Sequence, residues 1–222
     1  MSLPKNPIIL IPARMKSLRL PNKPLADING EAMIVHVWRR SIESKLGRVV
    51  VACGENEIVK TVEDAGGEAV LTDPNEPSGS DRIFSALRKI DPDGQHDAII
   101  NVQGDLPVLE DSTIKAAWLL LANKEVSIGT VAAQITIDEE RTNPSVVKAI
   151  VAWNADELTG RALYFTRATA PAGDGPLFHH IGLYAYRRAA LERFVALPVS
   201  SLEKQERLEQ LRALEYGMRI EV

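Results

Sequence analysis

The sequence predicts an α/β fold: a mostly parallel sheet flanked by helices, followed by an antiparallel extension. Two observations predict it. Over roughly the first two-thirds of the 222 residues, short apolar runs alternate with amphipathic helical segments, the order that produces a parallel sheet with right-handed crossovers. After about residue 126, extended segments follow one another without a long helix between them. With 45% apolar and 25% charged residues, the composition is that of an ordinary globular protein. The length suits one α/β domain with a substantial core, or two small ones. We read one domain over 1–222, with functional parts at about 1–126 and 127–222.

The elements follow in order. Ile8–Ile11 is an apolar run of the length of a buried strand. Met33–Lys45 is helical, with Ile34, Val37 and Trp38 on one face. Arg48–Ala52 is a valine-rich strand, and Asn56–Ala65 a helix with Ile58, Val59 and Val62 as its stripe, stopped by Gly66-Gly67. Glu68–Leu71 is a short strand, Gly79–Ile90 a helix capped by Ser78 or Ser80, and Ala98–Val102 a strand. Ser112–Ala122 is a helix capped by Asp111 or Ser112. Ser127–Ile135, Val146–Ala152, Ala162–Thr166 and Ile181–Tyr186 are extended, an arrangement suited to covering a site or carrying a dimer contact. Ser201–Tyr216 reads as one helix with Leu208, Leu211 and Leu214 on its apolar face, ended by Gly217, and Arg219–Val222 starts a last strand.

Composition excludes several classes. No apolar run approaches the roughly 18–20 residues that span a bilayer, and Met1-Ser2-Leu3-Pro4-Lys5-Asn6 lacks the pattern of a signal peptide. The lone Cys53 excludes an internal disulfide and a thiolate zinc cluster. A cytoplasmic location is the expectation. A pI near 5.7 and the lack of a broad basic stretch argue against general nucleic-acid binding.

Against a net charge of −4, one loop is basic: Arg14, Lys16, Arg19 and Lys23 follow the first strand at once, among prolines at 12, 21 and 24. Ligands of open α/β sheets bind at the carboxyl ends of strands, so this loop suits a polyanion. It holds no glycine between Pro12 and Asn29, so cationic side chains, Arg14 and Lys23 foremost, would hold phosphates rather than backbone amides. The alternative is a solvated loop with scattered cations. Asn101-Val102-Gln103-Gly104-Asp105 ends the strand Ala98–Val102. Asp105 there is either a magnesium ligand, since that ion takes one or two carboxylates with substrate phosphates and water, or the cap of a turn. Gly104 would let the backbone approach a nucleotide closely. Ser78-Gly79-Ser80-Asp81-Arg82 opens a helix and suits either a base or phosphate or simple capping. In the later half, Arg167 follows the Ala162–Thr166 strand, His179-His180 precede the Ile181–Tyr186 strand, and Glu209-Gln210 lie on the last helix. An arginine there can hold a carboxylate bidentately, and a histidine or glutamate can bond sugar hydroxyls. Each, taken alone, is also an ordinary surface or core residue.

Seven motifs in order resemble the 3-deoxy-manno-octulosonate (Kdo) cytidylyltransferase family, the CMP-Kdo synthetases, over Pro7 to Val222. They are Ile-Pro-Ala-Arg…Arg-Leu-Pro-Asn-Lys-Pro-Leu, Ser-Gly-Ser-Asp-Arg, Asn-Val-Gln-Gly-Asp, Asn143-Pro144-Ser145-Val146-Val147-Lys148, Thr166-Arg167-Ala168, His180-Ile181-Gly182-Leu183-Tyr184 and Leu208-Glu209-Gln210-Leu211-Arg212. The resemblance implies a Rossmann-like nucleotidyltransferase sheet with a sugar-binding and dimerising extension. It implies transfer of CMP from CTP to Kdo with Mg²⁺, giving CMP-Kdo and pyrophosphate for lipopolysaccharide biosynthesis, in a cytoplasmic homodimer without nucleic-acid or membrane partners.

The same resemblance implies residue roles. Arg14 and Lys23 would contact the triphosphate and Asp105 would ligate Mg²⁺. Ser78, Gly79 and Arg82 would lie by the nucleotide, and Gln103 would reach the ribose or the sugar acid. Arg167, His180, Tyr184, Glu209 and Gln210 would line the acceptor pocket. Departures are Leu106 in place of an acidic residue, Cys53-Gly54 in place of Thr-Asp, and a short Ala168–Phe178 loop. The family pattern also runs on through a Pro-Gly-Val-Asp-Thr-Pro-Glu-Asp-like segment, whose aspartate would be a second metal ligand beyond Val222. The alternatives are a cytidylyltransferase for sialic acid or another nonulosonic acid, and a non-catalytic CTP-binding homologue.

Overall fold

Pro7-Ile8-Ile9-Leu10-Ile11-Pro12-Ala13 is apolar throughout because it is a strand covered on both faces. Ile8 and Leu10 face one hydrophobic cluster and Ile9 and Ile11 the other, all at 0% exposure. This is β1 (Pro7–Ala13) in a computed structural model that describes residues 2–16 and 21–222. A small hairpin, β2 (Asp27–Ile28) and β3 (Glu31–Ala32), leads into α1 (Met33–Glu43). Then come β4 (Arg48–Cys53), α2 (Asn56–Asp64), β5 (Glu68–Leu71), α3 (Gly79–Ile90), β6 (Ala98–Val102) and α4 (Asp111–Leu119). The later half holds β7 (Ile128–Gln134), α5 (Asp138–Thr142), β8 (Lys148–Trp153), β9 (Gly160–Thr166), β10 (Phe178–Arg187), α6 (Arg188–Ala196), α7 (Ser201–Glu206), α8 (Gln210–Glu215) and β11 (Ile220–Glu221).

Nine strands form one mixed sheet in the order β5-β4-β1-β6-β10-β7-β11-β9-β8. The pairings among β5, β4, β1 and β6 are parallel, while β10 pairs antiparallel with both β6 and β7. The parallel half and the extension are therefore one continuous sheet, with β10 as the seam. β8 also touches β10 at His179–Lys148, curling the far edge back.

Several elements differ from the sequence reading. The cap of α4 is Glu110 rather than Asp111 or Ser112, and the helix ends at Leu119 in a 3-10 turn, Leu120–Ala122. A short α5 stands between β7 and β8, and β8 starts at Lys148 rather than Val146. The helix α6 was not predicted, although Ala190, Leu191 and Phe194 form its buried face. The single helix expected over Ser201–Tyr216 is two helices. Arg207 sits in the left-handed region at φ 55° and ends α7, and Glu209 precedes α8. Tertiary contacts explain the break. Arg167 Nε donates to the carbonyl of Glu206 at 2.8 Å, satisfying the end of α7. Glu203 holds Arg212 across the break, accepting from Nε at 2.8 Å and from Nη2 at 2.6 Å. No helix among the described residues is long and apolar enough to cross a membrane.

Candidate active site

A cavity of about 220 Å³ opens at the carboxyl ends of β1 and β6, lined by Pro12, Arg14, Lys23, Ser78, Gly79, Arg82, Gln103, Gly104 and Asp105, among others. They come from three places the sheet order brings together: the end of β1 and the segment after it, the first turn of α3 with its cap, and the turn after β6. All six residues expected near a nucleotide therefore meet in one place, with Asp105 beside them. Arg14 is exposed at the cavity. Lys23 Nζ donates to Asp105 Oδ2 at 2.6 Å, with side chains 35% and 49% exposed. Lys16 is exposed and does not line the cavity, and Arg19 lies outside the described residues.

Three supports fix this geometry. Glu55 Oε2 accepts from the backbone N–H of Met15 at 2.9 Å, anchoring the segment just past Arg14. Ser78 caps α3, its Oγ accepting from Asp81 N at 3.1 Å, a contact worth about 1 kcal/mol. Arg82 is buried, and its guanidinium donates to Thr72 Oγ1 at 2.6 Å and to the carbonyls of Asp73 and Pro74 at 3.0 and 3.2 Å. Burial pulls its pKa down, while Glu55 pushes the other way. Arg82 thus holds the loop between β5 and α3 as well as lining the cavity. Gly54 lies against it: a Cβ there would meet Arg82 Nη1 at 3.1 Å and Pro74 Cα at 3.3 Å. Gly104, which lines the cavity, also packs on the end of β1, since a Cβ would stand 2.6 Å from the carbonyl oxygen of Pro12.

The residues expected around an acceptor form a second group. His180, on β10, is 6% exposed, and burial pulls its pKa down to about 3, so its imidazole is neutral. Its Nε2 is 2.9 Å from Thr130 Oγ1 and its Nδ1 3.3 Å from Gln210 Nε2. Tyr184 packs on the same ring at 5.5 Å between centroids, and burial raises its phenol pKa. Glu209 joins this group to the cavity: Ser78 Oγ donates to its Oε1 at 2.7 Å and Ser80 Oγ to its Oε2 at 3.1 Å. Burial pushes the Glu209 carboxyl up despite those bonds and Arg212 nearby. Ser78 Oγ also lies 2.7 Å from Asp81 Oδ2, so one hydroxyl proton serves two carboxylates. Arg167 stands apart from the others. Beyond its bond to Glu206, Nη1 donates to the carbonyl of Pro144 at 2.9 Å and Nη2 to that of Arg207 at 3.4 Å, and Glu206 in turn accepts from Arg167 N and Thr166 Oγ1. Arg167 is a strut between the 143–147 loop and the end of α7.

Sequence reasoning missed Glu55 and Thr130. Glu55 bonds a partner 40 residues away and Thr130 two partners 50 and 53 residues away, which no local motif announces. Cys53 is no nucleophile: it is buried, and burial pushes its thiol up to about 12.

The donor set suits a hard divalent cation held mainly by substrate. Among the described residues no cluster of three or more His, Cys, Asp or Glu is placed to hold a metal ion. Asp105, half exposed beside two cations in the cavity, provides one carboxylate oxygen donor, which matches magnesium completed by phosphate oxygens and water.

A family model described as cytidylyltransferase matches residues 8–220. Among curated relatives, the 3-deoxy-manno-octulosonate cytidylyltransferase of Paramagnetospirillum magneticum is 61% identical over 97% of this chain and 87% of its own. That of Parvibaculum lavamentivorans is 62% identical over 98% and 84%. A solved CMP:2-keto-3-deoxy-manno-octonic acid synthetase complexed with CTP superposes with a TM-score of 0.87 at 34% identity, over 97% of this chain and 88% of that one. A cytidylyltransferase from Leptospira borgpetersenii shares the fold, with a TM-score of 0.60 at 15% identity.

Proposed function

Since the chain belongs to the 3-deoxy-manno-octulosonate cytidylyltransferase family, we infer that it transfers CMP from CTP to 3-deoxy-manno-octulosonate and releases pyrophosphate. The observation that carries the reading is the cavity itself. Arg14, Lys23 and Asp105 meet at the strand ends of a protein whose net charge is −4, a local cationic focus suited to a triphosphate.

In the reaction, the anomeric hydroxyl oxygen of the sugar acid forms a bond to the α-phosphorus as the bond from that phosphorus to the β-phosphate bridge breaks. Pyrophosphate leaves with the electron pair, and the hydroxyl proton passes to water. Such a transfer needs mainly positioning and charge neutralisation. Arg14 and Lys23 supply fixed positive charge along the triphosphate. Ser78 and Gly79, at the start of α3, and Gln103, after β6, shape the nucleotide side. Arg82 keeps the loop before α3 in place. Asp105 would hold Mg²⁺, which supplies further neutralisation of phosphate oxygens when bound. On the acceptor side, Tyr184, Glu209 and Gln210 face the sugar acid, with His180 buried behind Gln210. Arg167 orders the loop beside them.

The reading extends to a cytoplasmic homodimer with the nucleotide site in about 1–126 and the acceptor site in about 127–222, built on a Rossmann-like sheet. The test is pyrophosphate release from purified protein given CTP, Mg²⁺ and a panel of 2-keto sugar acids. Release that requires CTP, Kdo and Mg²⁺ together is the expected result. A preference for sialic acid would reassign the acceptor, and CTP binding without release on any acceptor would overturn catalysis.

A further inference from the structure

Thr130, on β7, is fully buried, yet its hydroxyl is bonded twice. It lies 2.7 Å from the carbonyl oxygen of Leu183 and 2.9 Å from His180 Nε2. A carbonyl only accepts, so the single hydroxyl proton goes to Leu183. Thr130 Oγ1 must then accept from His180, which places the imidazole proton on Nε2. Nδ1 is left as a bare acceptor. Facing it at 3.3 Å is Gln210 Nε2, so the carboxamide turns its N–H to the ring and its oxygen away. One hydroxyl thus determines the tautomer of His180 and the orientation of the Gln210 amide.

The same hydroxyl braces an irregularity in β10. The pairing with β7 runs to Ile181–Val131 and resumes at Tyr184–Thr130, leaving Gly182 and Leu183 bulged. The bulge presses Gly182 onto Gln103, where a Cβ would sit 3.2 Å from Gln103 Cγ. Bulges often re-aim side chains beside functional sites.

We propose that Thr130 is a positioning residue for the acceptor half of the site, acting through His180 on Gln210. The link to catalysis rests on the function inferred above, but the proton placement rests on geometry alone. Valine has nearly the shape of threonine and no hydroxyl. In Thr130→Val the Nε2–H would be buried without an acceptor, so the proton moves to Nδ1. It then donates to Gln210 Oε1, and the amide flips, reversing the donor and acceptor shown to the sugar acid.

The test joins two readouts on the full chain, with ¹⁵N-labelled histidine. Long-range nitrogen–proton spectra are expected to show His180 as the Nε2–H tautomer in the wild type and in Thr130→Ser. They should show Nδ1–H in Thr130→Val and in Thr130→Ala, a second hydroxyl-free variant should valine impair folding. In pyrophosphate release, the KM for Kdo should rise roughly tenfold in Thr130→Val, the scale of one lost buried hydrogen bond, with the KM for CTP within about twofold and Thr130→Ser near wild type. An Nδ1–H tautomer in the wild type, an unchanged tautomer in both hydroxyl-free variants, or an equal rise in both KM values would overturn the proposal. A wild type that turns over no CTP with Kdo refutes the functional reading instead, and the spectra still decide the proton placement.

Discussion

The neutral His180 makes a stability prediction whose sign and size can be worked out. In the unfolded chain its imidazole takes up a proton near its ordinary value of 6.5, and in the folded chain only near 3, because burial excludes the charged form. Between those values the unfolded state binds more protons, so stability falls as pH falls through that window. With those two values, the contribution lost is about 1 kcal/mol at pH 5.5 and about 3 kcal/mol at pH 4.5. Protonation would also put an N–H on Nδ1, so the Gln210 amide would have to turn its oxygen to the ring. Carboxylates elsewhere also titrate in this range, so the comparison is with His180→Gln, which keeps an amide nitrogen for Thr130 and cannot be protonated. Urea unfolding of both proteins at several pH values gives the difference in stability directly. The wild-type advantage over the variant should shrink by about those amounts. Parallel curves down to pH 4.5 would refute the buried, neutral imidazole.

Two further outcomes test the cavity. Asp105→Asn should lower turnover by roughly 100-fold or more, as read by pyrophosphate release. The melting temperature should hardly move, since the Lys23–Asp105 pair is largely exposed and such pairs contribute about 0–1 kcal/mol; activity near wild type would remove Asp105 from the mechanism. Gly104→Ala forces a Cβ to within 2.6 Å of the Pro12 carbonyl oxygen, so denaturant unfolding should show a loss of about 1–3 kcal/mol, and calorimetry weaker CTP binding. Unchanged values for both would show that the turn after β6 is not packed on the end of β1.

The parallel half was legible because its three inner strands β4, β1 and β6 are buried on both faces. β4 and β6 are nearly continuous apolar runs like β1, apart from Arg48 at the start of β4 and Asn101 in β6, and Ser78 stands where a cap belongs. Beyond β6 the local signals weaken. The stripe of α6 was present but short, and the 201–216 segment has the periodicity of one helix. What divides it is Arg167, which reaches in from β9 to take the carbonyl of Glu206, a contact no helical pattern encodes. The site divides the same way. The nucleotide-side residues sit in compact motifs that follow β1, precede α3 and follow β6, so sheet topology alone assembles them. Thr130 and Glu55 carry ordinary residue types in ordinary places, and only the fold reveals their partners. Arg167 shows the opposite failure: an arginine in a recognisable motif whose guanidinium is bonded to three backbone carbonyls.

The contacts between the two halves suggest why the acceptor side is buried so deeply. Glu209 is the N-cap residue of α8, adjacent to Gln210, and its carboxylate takes hydroxyls from Ser78 and Ser80 at the start of α3. Gln210 is held by His180, and the bulge beyond His180 rests on Gln103. A displacement of α8 therefore reaches the nucleotide cavity by two routes, through Ser78 and through Gln103. Near-attack geometry depends on sub-ångström placement of two substrates held by different elements. Two routes, one hydrogen-bonded through Ser78 and one packed through Gln103, keep those elements in register, whereas Lys23 and Asp105, which have to release each other to meet phosphate and cation, are joined by a weak, half-exposed pair.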